Sequence, residues 1–146
     1  MLRGGKAARI DDKGRLKVPT AFRAAIAEKY GGILYVTSLT GDSVLIYPMS
    51  VWEDIEEKLK GVPASLPARR RYFDRVNYFG QQAEFDRQGR VSIHGRLRES
   101  AEMVGEVDVF GNLNHLEVWN HERFAKKLEQ EPLTEEDFST LADHGI

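Results

Sequence analysis

The 146-residue sequence contains no cysteine, which excludes disulfide bonds and thiolate chemistry. No apolar run approaches the roughly 18 residues that a membrane span requires, and the N-terminal residues lack the apolar stretch of a signal peptide. The glycine-rich phosphate loops Gly-x-x-x-x-Gly-Lys-Ser/Thr and Gly-x-Gly-x-x-Gly do not occur. We therefore expect a cytoplasmic protein with no membrane segment and no nucleotide loop.

Signals of catalysis are equally scarce. None of the four histidines has the spacing of metal ligands, and no cysteine assists them. Adjacent carboxylates such as Glu56 and Glu57 fit the solvated face of a helix. The sequence therefore predicts a protein that is not an enzyme and that needs no metal and no cofactor.

One motif occurs twice, 75 positions apart. It reads Asp-Asp-Lys-Gly-Arg-Leu-Lys-Val at residues 11–18 and Asp-Arg-Gln-Gly-Arg-Val-Ser-Ile at residues 86–93. Chance would produce such a second copy on the order of once in a thousand chains of this length. Further along, Tyr47 and Trp52 match Trp119 and Phe124 with the same five-residue step. The chain is therefore one unit written twice.

Each copy predicts a strand, an Asp-x-x-Gly-Arg turn, a second strand, a helix, two more strands and a final helix, which is an α+β pattern. The predicted parts are a first repeat at 1–61, a linker and connecting helix at 62–80, a second repeat at 81–131 and an acidic tail at 132–146. A unit of about seventy residues is marginal alone. We therefore expect the two copies to pack as one domain.

Three local signals give sharper expectations. Residues 6–10 alternate weakly and predict an edge strand. Residues 50–53, Ser-Val-Trp-Glu, have the pattern of a capping box at a helix start. In the tail, Thr134 is followed by three acidic residues and predicts the start of a short helix.

Charge is distributed unevenly. The net charge is −2, but residues 1–30 and residues 68–98 each hold eight basic and three acidic residues, whereas residues 99–146 hold three basic and twelve acidic. Positive charge therefore surrounds both copies of the motif, and such asymmetry can focus a field on one face.

The motif arginines Arg15 and Arg90 are the strongest candidates for contact with nucleic acid, because a planar guanidinium suits phosphates and guanine edges. The motif carboxylates Asp11 and Asp86 could instead form a structural turn staple with them. The candidate DNA-binding residues are Arg9, Lys13, Arg15, Lys17, Arg23, Arg87 and Arg90.

The first hairpin, residues 9–19 followed by Phe22 and Arg23, resembles the AbrB-type swapped-hairpin DNA-binding domain. Two such units, each with Asp-x-x-x-Arg and preceded by Met-Leu-Arg-Gly at residues 1–4, resemble the MraZ family over about residues 1–131. The second motif lacks the proline that follows the first, since His94 stands where Pro19 does.

This resemblance implies a bacterial transcriptional regulator, associated with the nucleoid, that acts as a repressor at the promoter of the division and cell-wall gene cluster. It implies binding of double-stranded DNA at direct repeats in the protein's own promoter. It also implies tandem β-rich units about a pseudo-two-fold axis, and homo-oligomeric rings. An antitoxin-like or scaffold module with the same hairpins remains the alternative, although an antitoxin usually carries one hairpin and a toxin-binding tail.

Overall fold

The computed structural model describes residues 1–146 and has an α+β fold with six helices and one eight-stranded sheet. The first copy holds β1 Leu2–Ile10, β2 Arg15–Lys17, α1 Thr20–Tyr30, β3 Ile33–Thr37, β4 Val44–Pro48 and α2 Met49–Lys60. The connecting helix α3 spans Pro67–Tyr78. The second copy holds β5 Gln81–Glu84, β6 Arg90–Ser92, α4 Gly95–Ser100, β7 Gly105–Leu113, β8 Leu116–Asn120 and α5 His121–Gln130. The tail holds α6 Glu135–Ala142.

All strand pairs are antiparallel, in the order β5-β3-β4-β8-β7-β1-β2-β6. The two edge strands, β5 and β6, are joined by the second motif, where the Asp86 N–H donates to the Arg90 carbonyl at 2.9 Å. The sheet is therefore nearly closed. Closure reduces the exposed edge that an open sheet would offer to other strands.

Strands of the two copies cross over in this sheet. β1 of the first copy pairs along its whole length with β7 of the second. β5 of the second copy pairs with β3 of the first. A third pair joins β2 of the first copy to β6 of the second, with Leu16 opposite Val91. Each hairpin thus completes the sheet of the other copy.

The main core lies inside this sheet, because inward residues alternate with outward ones along each strand. Leu16 and Val91 are fully buried there. Helices α1 and α4 add Ile26 and Leu97, which are also fully buried. A second, smaller cluster lies on the other face of β4, where Trp52 of α2 and Val76 of α3 are buried.

Two local predictions were wrong. Residues 6–10 do not form an edge strand, because β1 begins at Leu2 and lies between β2 and β7. The capping box at residues 50–53 does not form, because the helix begins at Met49 directly after β4 and its N-cap is Pro48, with no side-chain cap. The cap at Thr134 is confirmed, since its hydroxyl accepts from the Asp137 N–H and the Asp137 carboxylate accepts in return.

Candidate nucleic-acid interface

The two copies of the motif fold into the same turn. Asp11 Oδ1 accepts hydrogen bonds from the backbone N–H groups of Lys13 and Arg15 at 3.0 and 2.9 Å. Asp86 Oδ1 accepts from Gln88 and Arg90 at 2.8 and 2.9 Å. This use of an aspartate is typical of tight turns.

The fourth residue of each motif is glycine for two reasons. Gly14 and Gly89 have φ values of +77° and +74°, in the left-handed region that glycine tolerates. Each is also covered by an arginine of the opposite copy. A Cβ on Gly14 would lie 1.8 Å from Arg98 Nη1, and one on Gly89 would lie 2.4 Å from Arg23 Nε.

The backbone locks the two turns together in the same reciprocal way. The Val18 N–H donates to the Gly89 carbonyl at 3.2 Å, and the Ile93 N–H donates to the Gly14 carbonyl at 2.9 Å. Each turn is therefore held by the strand end of the other copy as well as by its own aspartate.

Each motif arginine binds its own aspartate. Arg15 Nε donates to Asp11 Oδ2 at 2.7 Å, and Arg90 Nε donates to Asp86 Oδ2 at 2.8 Å. Arg90 Nη1 also approaches Asp11 Oδ2 at 3.9 Å. These bonds form the turn staple. Because each bond uses Nε, the guanidinium nitrogen nearest the backbone, it also fixes the orientation of the guanidinium group.

The same contacts keep both carboxylates charged. Hydrogen bonding from the backbone N–H of Arg90, followed by its guanidinium, lowers the pKa of Asp86 to about 2. The backbone N–H and the guanidinium of Arg15 lower the pKa of Asp11 in the same direction. Both ion pairs are therefore formed at neutral pH.

The outer face of β2 and β6 carries cations. Since Leu16 and Val91 point inward, their neighbours point outward. The register sets Lys17 opposite Arg90. It also sets Ile10 opposite Leu16, so that the exposed Arg9 of β1 lies on the same outer face beside Lys17. We call Arg9, Lys17 and Arg90, which follow one another across three adjacent strands, the cation row.

The second copy lacks an equivalent row. The counterparts of Arg9, Lys17 and Arg90 at the 75-residue offset are Glu84, Ser92 and Arg15. An acid therefore replaces the first cation and a hydroxyl replaces the second. The outer face is polarised, with most of its positive charge on the side of the first hairpin.

The remaining predicted residues differ in their surroundings. Lys13 and Arg87 lie exposed at the tips of the two turns. The Lys17 amine donates to the Gln88 carbonyl and so links the two turns. Arg23 is half-buried against Gly89, and its buried Nε has no hydrogen-bond partner within the chain. Arg98, which is not among the predicted residues, is its counterpart over Gly14.

Other polar groups have local roles. His115 stacks on Tyr47 at 4.5 Å, and burial lowers its pKa. A 2.8 Å hydrogen bond to Asp108 raises the pKa of His121. No group of three or more histidine, aspartate or glutamate side chains could hold a metal ion, and no helix is long and apolar enough to cross a bilayer.

Fold and surface together define an α+β protein whose two stapled Asp-x-x-Gly-Arg hairpins expose a basic face. The matching family model is that of the MraZ protein, whose description includes the term antitoxin-like, and it covers residues 1–75 and 80–145. The chain belongs to the MraZ family.

Relatives with similar sequences match all or most of the chain. It is 47% identical to the transcriptional regulator MraZ of Acidobacterium capsulatum and 48% identical to that of Koribacter versatilis, and both alignments cover all of both chains. It is 34% identical to the protein of the same name from Tolumonas auensis, over 90% of this chain and 87% of that one. These relatives are named as regulators and not as enzymes.

Proposed function

We propose that the chain is a transcriptional regulator, not an enzyme, and that it binds double-stranded DNA through the outer face of its two hairpins. The observation that carries this proposal is the cation row, Arg9, Lys17 and Arg90, with Arg15 beside it. The major groove of B-DNA admits a two-stranded β-ribbon, and the pair β2–β6 is the part of this face that would enter it. Arg15 and Arg90 then read base edges with their outer Nη groups, while Asp11 and Asp86 fix the guanidinium planes.

The other predicted cations position the DNA backbone. Lys13 and Arg87, at the exposed turn tips, bind phosphates on either side of the ribbon. Arg23 lies against Gly89 and contributes its charge from the side of the turn. The polarised face makes the first hairpin the stronger half of the interface, because Glu84 repels phosphate where Arg9 attracts it.

We further propose that the fold is a pair of swapped-hairpin units related by a pseudo-two-fold axis. The exchange of β1 and β5 between copies and the reciprocal cover of Gly14 and Gly89 support this arrangement. In this view the repeats at 1–61 and 81–131 form one domain, joined by the linker and helix at 62–80, and the tail at 132–146 stands apart.

Family membership supports the finer regulatory proposal. The protein acts in the cytoplasm at the nucleoid, where it represses the division and cell-wall gene cluster by binding direct repeats in its own promoter. One hairpin face offers few base contacts. A homo-oligomeric ring in which each subunit takes one repeat would raise the effective concentration of the second binding event and so the avidity.

An antitoxin-like or scaffold role is the second candidate. Helix α6 favours it, because none of its residues is buried and it could present a partner-binding segment. Tagged full-length and α6-deleted chains would separate the two roles. If the protein is an antitoxin, deletion of α6 abolishes binding of its protein partner. If it is a regulator, the deletion leaves the DNA affinity of each hairpin unchanged.

The decisive experiment measures fluorescence anisotropy of duplex DNA from upstream of the protein's own gene, at several salt concentrations. We expect preference over a shuffled duplex on the order of a thousandfold and a steep loss of affinity with salt. Lys17→Ala should weaken binding, whereas Lys58→Ala, an exposed lysine on α2, should not. Equal affinity for both duplexes would overturn the proposal.

A further inference from the structure

The two copies differ in how their matched aromatic pairs are covered. Tyr47 and Trp52 of the first copy lie with ring centroids 5.2 Å apart and are 8% and 4% exposed. Trp119 and Phe124 of the second copy lie 5.5 Å apart, in the same relation of strand to helix, but both are only half-buried. The same structural unit is thus closed in one copy and open in the other.

Helix α3 makes the difference. In the first copy its Val76, which is 1% exposed, packs into the cluster with Trp52, and Tyr72 packs at its margin. In the second copy no helix takes that place. Helix α5 contributes no buried residue, and its Leu128 is 62% exposed. Phe110 extends the open surface, since its ring lies 4.5 Å from that of Phe124.

Helix α6 follows α5 as α3 follows α2, yet it covers nothing. None of its residues is buried, and Phe138 is 58% exposed. Six residues, 61–66, separate α2 from α3, but only four, 131–134, separate α5 from α6. The shorter link has about 7 Å less reach at roughly 3.5 Å per residue, and Pro132 stiffens it. The link to α6 is therefore shorter and stiffer than the link that leads into α3, and α6 buries none of its residues against its own chain.

Charge makes the two uncovered surfaces complementary. The open aromatic face is bordered by Arg123, Lys126 and Lys127, which line a depression of about 290 Å³ beside Trp119 together with Asp42 and Glu131. Arg123 and Lys127 pair with these two carboxylates at 3.0 and 2.9 Å, so Lys126 supplies the unpaired positive charge of this rim. The first turn of α6 carries Glu135, Glu136 and Asp137. Opposite charges at the rim of an apolar contact favour the correct partner and orientation.

We propose that helix α6 of a second copy of this chain lies over the face formed by Phe110, Trp119, Phe124 and Leu128, in the place that α3 occupies in the first copy. Phe138 then packs against Phe124 and Leu128, and the acidic first turn meets the basic rim. Donor and acceptor are different patches, so each chain offers one of each and the contact propagates head to tail. The inference rests on the proposed self-association and does not depend on DNA binding.

The absence of cysteine allows a direct test. Full-length Ala125→Cys and Ala142→Cys chains keep Leu128 and Phe138 and place a thiol beside each of them on α5 and α6; they are mixed and treated with a short bis-maleimide crosslinker. We expect a covalent heterodimer at several times the yield of a control mixture of Val104→Cys and Ala142→Cys, since Val104 is 69% exposed but lies outside the face. Each variant should keep the parent's thermal midpoint.

Three outcomes would overturn the inference, and they differ in what else they remove. Crosslinking only within a single chain that carries both cysteines would show that α6 covers its own α5. Yield no higher than the control, with light scattering still showing oligomers, would leave self-association standing on other surfaces. A parent chain that is monomeric at micromolar concentration would remove both this contact and the ring.

Discussion

Replacing Arg15 by alanine separates the two roles open to the motif arginine. The change removes the Nε bond to Asp11 and the outward Nη groups together. Because the two side chains are 31% and 32% exposed, loss of their ion pair should lower stability only slightly. If the Nη groups read a base edge, the change costs about 1–3 kcal/mol of binding, or about 5- to 150-fold in Kd.

The matched variant is Asp11→Asn. An asparagine Oδ1 can still accept from the N–H groups of Lys13 and Arg15, so the turn is retained. The carboxylate Oδ2 that orients Arg15 is lost, but its guanidinium remains. We therefore expect both variants to unfold at nearly the same temperature, while Arg15→Ala loses clearly more DNA affinity than Asp11→Asn.

Fluorescence anisotropy on the upstream duplex at several salt concentrations provides the measurement. A base contact by Arg15 leaves the slope of log Kd against log salt nearly unchanged on substitution, whereas loss of a phosphate contact reduces it by about 0.9. If Arg15→Ala and Asp11→Asn lose the same affinity at every salt concentration, the arginine is only a turn staple and the reasoning fails.

Three further predictions follow from the same surface. Glu84→Arg should give the second copy the cation it lacks, with tighter DNA binding and a salt slope steeper by about 0.9; unchanged anisotropy would place the second hairpin outside the interface. Gly14→Ala and Gly105→Ala should each lower the free energy of unfolding by roughly 1–2 kcal/mol, because both glycines have a positive φ. Only the first substitution also displaces Arg98, so urea unfolding should show the larger loss of stability at Gly14. Equal losses would mean that Arg98 does not stabilise the turn. The pKa of Asp86 in the folded state, about 2, lies below its ordinary 3.8. The stability that the Asp86 carboxylate contributes is therefore complete above pH 3.8 and is lost as the pH falls towards 2. Acid titration should show a shallower loss of stability in that window for Asp86→Asn, and an unchanged slope would contradict the lowered pKa.

Those features that depend on neighbours in the chain could be predicted from the sequence. Each Asp-x-x-Gly-Arg turn uses hydrogen bonds between residues at most four positions apart, and both turns form as the motif indicates. The helix beginning at Glu135 follows from its Thr134 cap. The capping box at Ser50 failed because tertiary packing starts α2 earlier, directly from β4, as Trp52 enters the second cluster.

Features that depend on register across distant strands could not be predicted. The predicted strand at residues 6–10 starts four residues later than β1, after two glycines at positions 4 and 5 of a kind that is disfavoured inside strands. In the structure Gly5 lies under the ring of Phe110, and a Cβ at position 5 would come within 2.8 Å of Cδ1 of that ring. This close approach explains the glycine. The cation row likewise needs the pairing of β1, β2 and β6, since Arg9 and Arg90 are 81 positions apart.

The reciprocal exchange of strands has a consequence for how the protein comes into being. β1 emerges first during synthesis, but its partner β7 is completed only when Leu113 has been added. The turn at Gly14 likewise waits for Ile93. Such distant pairings form slowly and late. An interrupted product that ends after the first repeat would therefore carry a complete copy of the basic motif but no β6 to complete the cation row. If the proposed function holds, such a fragment would not compete with the finished protein for DNA.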